Sequence, residues 1–266
     1  MKDILFSALC ILVLLCGCGR KTAPEKTPER ILSLSGAATG ILLQLGVVPA
    51  AVDQYGSEVP GAEKIPVAGK GSALSREKLA ELQIDGALVW YYQEEVRREL
   101  EHAGIRVLSV PPMRLREIPA WIVQTGEFCG RKEAAEALSA EFSRRISEIT
   151  VAEPEKTVYV YWELYAPGKA AGEESYAGDL LRAAGCRSVI RKTGVISGEF
   201  LAERPPDVIL YVEGYGDPAA ILRRPELRKS PAAEHDRIYA VPRRLLMEGV
   251  APLEAIAFLK EKIAGK

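Results

Sequence analysis

The sequence predicts an α/β protein of two lobes, each built on a mainly parallel sheet, joined by a single long α-helix. Three observations predict it. Short runs rich in β-branched and aromatic residues alternate with helical stretches, the pattern of right-handed βαβ crossovers. A β-poor stretch from Leu115 to Thr150 interrupts that alternation in the middle of the chain. The flanking halves also repeat each other. Leu74-Ser75-Arg76-Glu77-Lys78-Leu79-Ala80-Glu81 followed by Asp85 parallels Ile196-Ser197-Gly198-Glu199-Phe200-Leu201-Ala202-Glu203 followed by Asp207. The glutamate pair Glu77 and Glu199 and the two aspartates are each 122 residues apart. Ile105-Arg106-Val107-Leu108-Ser109-Val110-Pro111 likewise echoes Asp236-Arg237-Ile238-Tyr239-Ala240-Val241-Pro242.

In order along the chain, Ile31 to Leu34 reads as a strand. Ser35 can cap the following helix, which carries Ile41, Leu42 and Leu45 on one side and stops at Gly46. Val47 to Val52 reads as a second strand. Ser75 can cap a helix from Arg76 to Leu82, which leads into a strand from Gly86 to Tyr91. Glu94 to Ala103 reads as a helix stopped by Gly104, with a strand from Ile105 to Val110 after it. Pro111-Pro112 closes this half. One helix then precedes Gly130, and one long helix runs from about Arg131 to Thr150, with Ala134, Ala135, Leu138, Phe142, Ile146 and Ile149 at helical spacing. Beyond Pro154 the first pattern returns: strands at Thr157–Trp162, Pro206–Val212 and Arg237–Val241, with helices at Tyr176–Ala184 and Pro252–Ile263. Two lobes generate a cleft, and an interface between lobes is a preferred place for a small-molecule site.

Composition excludes several functions. The 35 basic residues are balanced by 36 acidic ones, so the basic excess of a nucleic-acid partner is missing. Two histidines cannot build a site of three or four imidazoles, so no metal site is expected. Both His102, in a charged helix, and His235, in a turn, read as solvated surface. An extracytoplasmic α/β enzyme is the rival from another class, but its motifs are missing. Gly69-Lys70-Gly71 is not a phosphate loop, and neither a Gly-x-Ser-x-Gly elbow beyond the first 17 residues nor a His-Glu-x-x-His helix occurs. No catalytic residue and no cofactor is therefore expected. An adhesive lipoprotein would need an exposed apolar face, whereas the apolar residues here fall on strands and on one side of helices.

The amino terminus has its own chemistry. The apolar run Ile4 to Leu15 is too short to span a bilayer and has the length of a signal-peptide core. It leads into Leu15-Cys16-Gly17-Cys18, which resembles the lipobox of bacterial lipoproteins. That resemblance makes Cys18 the lipidated anchor, the two acyl chains giving stable attachment to a membrane. The expected organisation is a signal peptide over 1–17, a flexible tether over 18–29, an N-terminal lobe over 30–112, a linker over 113–152 and a C-terminal lobe over 153–266, all working outside the cytoplasm. Outside the cell a bridge between Cys129 and Cys186 is permitted, and two separate buried thiols are an equal alternative.

Arg30-Ile31-Leu32-Ser33-Leu34-Ser35, the helix closing on Leu45-Gly46, the Ser-x-Glu-x-Leu before each aspartate, and the linker from Pro111-Pro112 to Gly130-Arg131 resemble helical-backbone substrate-binding lipoproteins. These periplasmic binding proteins serve importers of the ATP-binding-cassette type for cobalamin, ferric siderophores and haem. The similarity runs from about Arg30 to Leu259. The cobalamin branch is the nearest in look, through Asp85-Gly86-Ala87-Leu88-Val89-Trp90 and the segment from Pro112 to Leu138. The resemblance implies Rossmann-like lobes and a bulky metal-chelate ligand, a corrinoid or iron chelate, in the cleft. It also implies a permease dimer with ATPase subunits as partner, onto whose arginines Glu77 and Glu199 dock.

Trp90 matches an aromatic that faces the ligand in the cobalamin branch. Open α/β sheets bind ligands outside the carboxyl ends of strands, which suits Trp90 and, of the adjacent pair Tyr91 and Tyr92, one ring. Trp162 reads as the opposing wall. Ser35, Lys70 and Arg243, the last in the loop Pro242 to Gly249, complete the candidate ligand-binding set. The chain departs from the branch at Gly71 and Thr193, where further tryptophans stand six residues before each docking glutamate. Lys70 replaces a tyrosine that haem receptors often carry, and Gly36 and Gly40 replace the usual proline and glutamate after the first strand.

Overall fold

The structure is a computed structural model and describes residues 26–70, 73–151 and 156–264. The chain enters the first sheet through β1 (Ile31–Ser33) and α1 (Gly36–Gln44), continues as β2 (Ala51–Asp53), β3 (Val67–Lys70) and β4 (Ala73–Leu74), and then as α2 (Arg76–Glu81), β5 (Gly86–Trp90), α3 (Glu94–His102) and β6 (Arg106–Val110). The sheet order is β4-β3-β2-β1-β5-β6, parallel throughout except for the edge strand β4. Both faces of its centre are covered: Leu32 and Leu88 are fully buried, as parallel strands with helices on each side require. The Ser35 hydroxyl accepts from Ala38 N to start α1. Gly46, at φ 71°, ends it in a left-handed turn that a side chain would strain. Of the expected second strand, Val47 to Val52, only residues 51 and 52 fall in β2.

The middle of the chain holds the two expected helices, α4 (Ile118–Phe128) and the long α5 (Lys132–Ile149), which reverse at Gly130 and pack as a hairpin. Gly126 lies against Ala135, so the two helices approach where neither carries bulk, and Ser139 Oγ donates to Pro119 O at 3.0 Å. At 1.5 Å per residue, α5 spans about 27 Å. Its inward stripe holds Ala135, Leu138, Phe142, Ile146 and Ile149, while Ala134 is exposed.

The second sheet is built from β7 (Val158–Glu163), β8 (Lys169–Ala170), α6 (Tyr176–Ala183), β9 (Cys186–Ser188), β10 (Gly194–Val195), α7 (Gly198–Glu203) and β11 (Val208–Val212). After three short helices, α8 (Pro218–Leu222), α9 (Pro225–Arg228) and α10 (Pro231–Glu234), come β12 (Ile238–Val241) and the terminal α11 (Pro252–Ile263). The order is β10-β8-β7-β11-β12, with β9 also on β7; β7, β9, β11 and β12 are parallel. The sequence repeat has a structural meaning at its aspartates. Asp85, before β5, accepts from Glu29 N and Arg30 N at the start of β1, and Asp207, before β11, accepts from Tyr159 N in β7. Each aspartate thus ties the central strand of its sheet to the neighbouring one.

Residues 27–29 belong to the folded body rather than to the expected tether: Pro28 is buried, packed where a side chain at Gly86 would collide with it. Cys129 and Cys186 are separate buried thiols, with burial pushing Cys186 up to about 12. The signal segment and Cys18 lie outside the described residues.

One apolar cluster runs through the whole molecule. It includes Ile41 and Leu88 from the first lobe, Ile118, Trp121 and Phe142 from the hairpin, and Trp162, Leu180 and Ile256 from the second. Polar contacts cross as well: Arg114, entering the hairpin, donates to Asp179 of α6 at 2.5 and 2.7 Å, and Lys260 of α11 donates to Ile149 O.

Candidate functional site

A cavity of about 610 Å³ lies between the lobes, and most of its wall follows the carboxyl ends of parallel strands from both sheets. From the first lobe, Gly36 and Ala37 follow β1, Tyr55 follows β2, Trp90 ends β5 with Tyr91 and Tyr92 after it, and Pro112 follows β6. From the second, Leu164 and Tyr165 follow β7, Tyr215 follows β11, and Arg243, Leu246, Met247 and Glu248 follow β12. Ser175, Tyr176 and Ala177, at the start of α6, and Thr193 close the remainder.

The chain builds this wall locally. After Trp90 the backbone leaves the strand in a turn stitched by Gln93, whose side-chain oxygen accepts from Trp90 N at 2.9 Å and whose N–H donates to Trp90 O. Because the turn breaks the strand's alternation, Tyr91 and Tyr92 both line the cavity, where sequence reasoning expected one. Trp90 and Tyr92 are stacked with their rings 6.2 Å apart and 11° from parallel, and Tyr91 meets Tyr92 edge-on. On the second lobe Tyr165 and Tyr215 form a second edge-on pair at 5.0 Å. All four tyrosines of these pairs are about half exposed or more, 47% to 65%, so large amphipathic rings stand uncovered on both walls.

Arg243 is the lining cation. It donates to Glu58 of the first lobe at 2.6 and 2.7 Å and lies over the ring of Tyr55 at 4.4 Å, with the ring of Tyr215 at 5.9 Å. It therefore joins the lobes at the edge of the cavity. The segment carrying it, residues 242–251, crosses onto the first lobe as a strap. Met247 and Val250 pack with Val52, Val59 and Leu43, and a methyl added at Gly36 or Gly40 would meet Met247 Sδ at 3.0 Å or Val250 at 3.1 Å. The two departures from the family pattern on α1 are thus the seat of this strap.

Of the predicted site residues, Trp90, Tyr91, Tyr92 and Arg243 are brought together in the wall. Trp162 is a correction. It sits one residue inside β7, fully buried in the central cluster, and the wall opposite Trp90 is made by Leu164 and Tyr165 instead. Ser35 is also corrected: it is buried as the cap of α1, and its neighbours Gly36 and Ala37 line the cavity. Lys70 ends β3, and its side chain lies outside the described residues. Tyr55, Tyr165, Tyr215 and Glu248 were missed. The first three fall two or three residues past a strand end, so the carboxyl-end rule applied to every strand would have found them.

Glu77 and Glu199 are exposed, each the second residue of a short helix, α2 or α7, capped by Ser75 or Ser197 and preceded by an edge strand, β4 or β10. Among the described residues no group of three or more metal-ligating side chains is found, and no helix is long and apolar enough to cross a membrane.

Several known proteins are similar to this chain. The vitamin B12-binding protein of Salmonella typhimurium is 24% identical over 230 residues, covering 82% of this chain and 83% of its own. Among solved structures, the periplasmic haem-binding protein HutB of Vibrio cholerae superposes with a TM-score of 0.78 at 23% identity, covering 88% of this chain and 98% of its own. The periplasmic vitamin B12-binding protein BtuF of Vibrio cholerae gives 0.71 at 18% identity, covering 90% and 97%. These solved structures share its fold. The family described as periplasmic binding protein matches residues 31–245, most of the length, and the chain belongs to that family.

Proposed function

We propose that the protein is the extracytoplasmic receptor of an ATP-binding-cassette importer, capturing a corrinoid between its lobes and delivering it to the permease. The observation that carries the reading is the aromatic-walled cavity of about 610 Å³ at the strand carboxyl ends of both sheets. That volume falls within the roughly 300–1,000 Å³ of small-molecule sites, and stacked rings such as Trp90 and Tyr92 offer a flat macrocycle contact at small entropic cost. The vitamin B12-binding relative supports the choice of ligand. A second reading, a haem or ferric-siderophore receptor, is favoured by the tyrosine hydroxyls of the wall, a ligand type that ferric centres accept.

Capture needs no chemical step, and no side chain is assigned one. The exposed, repeat-related Glu77 and Glu199 support docking onto arginines of the permease dimer, where paired carboxylates on a rigid body fix orientation. Cys18 is assigned the lipid anchor on its sequence alone.

Visible absorption titration tests the ligand: a saturable spectral change with cyanocobalamin is expected. Saturation by haemin or a ferric siderophore with none by cyanocobalamin would move the assignment to the second reading. The double variant Glu77→Ala/Glu199→Ala should titrate as the parent does and fail to support uptake; normal uptake would refute the docking role.

A further inference from the structure

The cavity wall carries two charged side chains in different circumstances. Arg243 is already neutralised by Glu58 and covered by Tyr55. Glu248 has no ion pair and no hydrogen bond from another residue among the described residues; its carboxyl is met only by its own backbone N–H, and Tyr92, Tyr165 and Tyr176 lie close enough to feel its charge. Beside it the buried Tyr176 hydroxyl lies near the backbone N–H of Gly249 and has no side-chain partner. Burial pushes the Glu248 carboxyl above the usual carboxylate range.

The strap explains how an unpaired acid is held there. Met247 is seated against Gly36, and Gly249, at φ 78°, packs against Ile41. Glu248 lies between two residues anchored on α1, which fixes its backbone at the wall and leaves its side chain partly exposed to the cavity. A largely desolvated carboxyl that no other side chain meets costs stability, and a ligand that brings a donor lowers that cost on binding.

We infer that Glu248 is the polar anchor of the cavity, accepting a hydrogen bond from the carboxamide edge of an amide-fringed macrocycle and disfavouring a macrocycle fringed by carboxylates. The inference rests on reading the cavity as a macrocycle site and adds the chemistry of the macrocycle's rim. A carboxylate rim would meet an acid with no counter-ion and an arginine already engaged, the repulsive half of specificity. An amide rim supplies the missing donors.

The test uses the whole chain, with dicyanocobinamide as the amide-fringed probe and haemin as the carboxylate-fringed one. Parent, Glu248→Gln and Glu248→Ala are titrated alongside Trp90→Ala, with melting curves to verify folding. Glu248→Ala should weaken dicyanocobinamide by about tenfold or more, the scale of a hydrogen bond to a charged group. Glu248→Gln, which keeps an accepting carbonyl and drops the charge, should lose less and gain about tenfold for haemin. If Glu248→Ala does not fold, the haemin gain in Glu248→Gln carries the test alone. Unchanged dicyanocobinamide affinity in Glu248→Ala, with Trp90→Ala weakened, would overturn the role of Glu248 and leave the cavity reading standing. Haemin bound by the parent with no dicyanocobinamide bound would overturn both.

Discussion

Trp90 and Trp162 both stand near a strand end, yet they do opposite work. Trp90 is the last residue of β5, where the sheet gives way to a turn, and its ring joins the cavity wall. Trp162 is followed by Glu163, still inside β7, and is fully enclosed by the central cluster. Trp162→Ala should therefore lower stability by about 3–5 kcal/mol, the cost of emptying a large aromatic from a core, in urea unfolding. Trp90→Ala should cost less, about 1–2 kcal/mol, because Trp90 is only partly buried at the edge of that cluster, and it should bind cyanocobalamin more weakly. Equal stability losses in the two variants would contradict this division. At this scale the sequence showed which residues are aromatic and how near they lie to strand ends. It did not show the one-residue difference that sends one ring to the cavity wall and the other to the core.

The best-read elements are those longer than a helical period with their own stops: α3 and α5 follow their apolar stripes, and α11 spans the expected residues. The helices α8, α9 and α10 escaped notice because four or five residues show no periodicity and each opens on a proline that reads as loop. The strap was unreadable for another reason. Its partner is α1, about 200 residues away, and the signal was a pair of glycines one turn apart that only packing explains. Gly40→Leu should cost about 1–3 kcal/mol by overpacking against Val250, and it should weaken cyanocobalamin binding because the displaced strap carries Met247 and Glu248. Urea unfolding and titration check the two effects; a stable variant with full affinity would show that the strap is not fixed by this contact.

The whole molecule is tied across its middle by the shared core, the α4–α5 hairpin, the Arg114–Asp179 pair and the Arg243–Glu58 pair. Opening the cleft would separate these contacts together, so closure on a ligand is expected to be small. Small-angle scattering with and without cyanocobalamin should show a radius of gyration differing by less than about 1 Å; a change of several ångströms would mean a hinge. By itself the sequence determined the α/β class, the internal repeat, the helical middle and Trp90 as a strand-end aromatic, because periodicity, capping and repetition are written in neighbouring residues. Only the tertiary structure decided that Arg243 meets Glu58 at a separation of 185 residues, that tyrosines from both sheets face one space, and that Glu248 stands there unpaired. Those depend on how two separately legible halves pack, and packing joins residues by shape and charge rather than by their order along the chain.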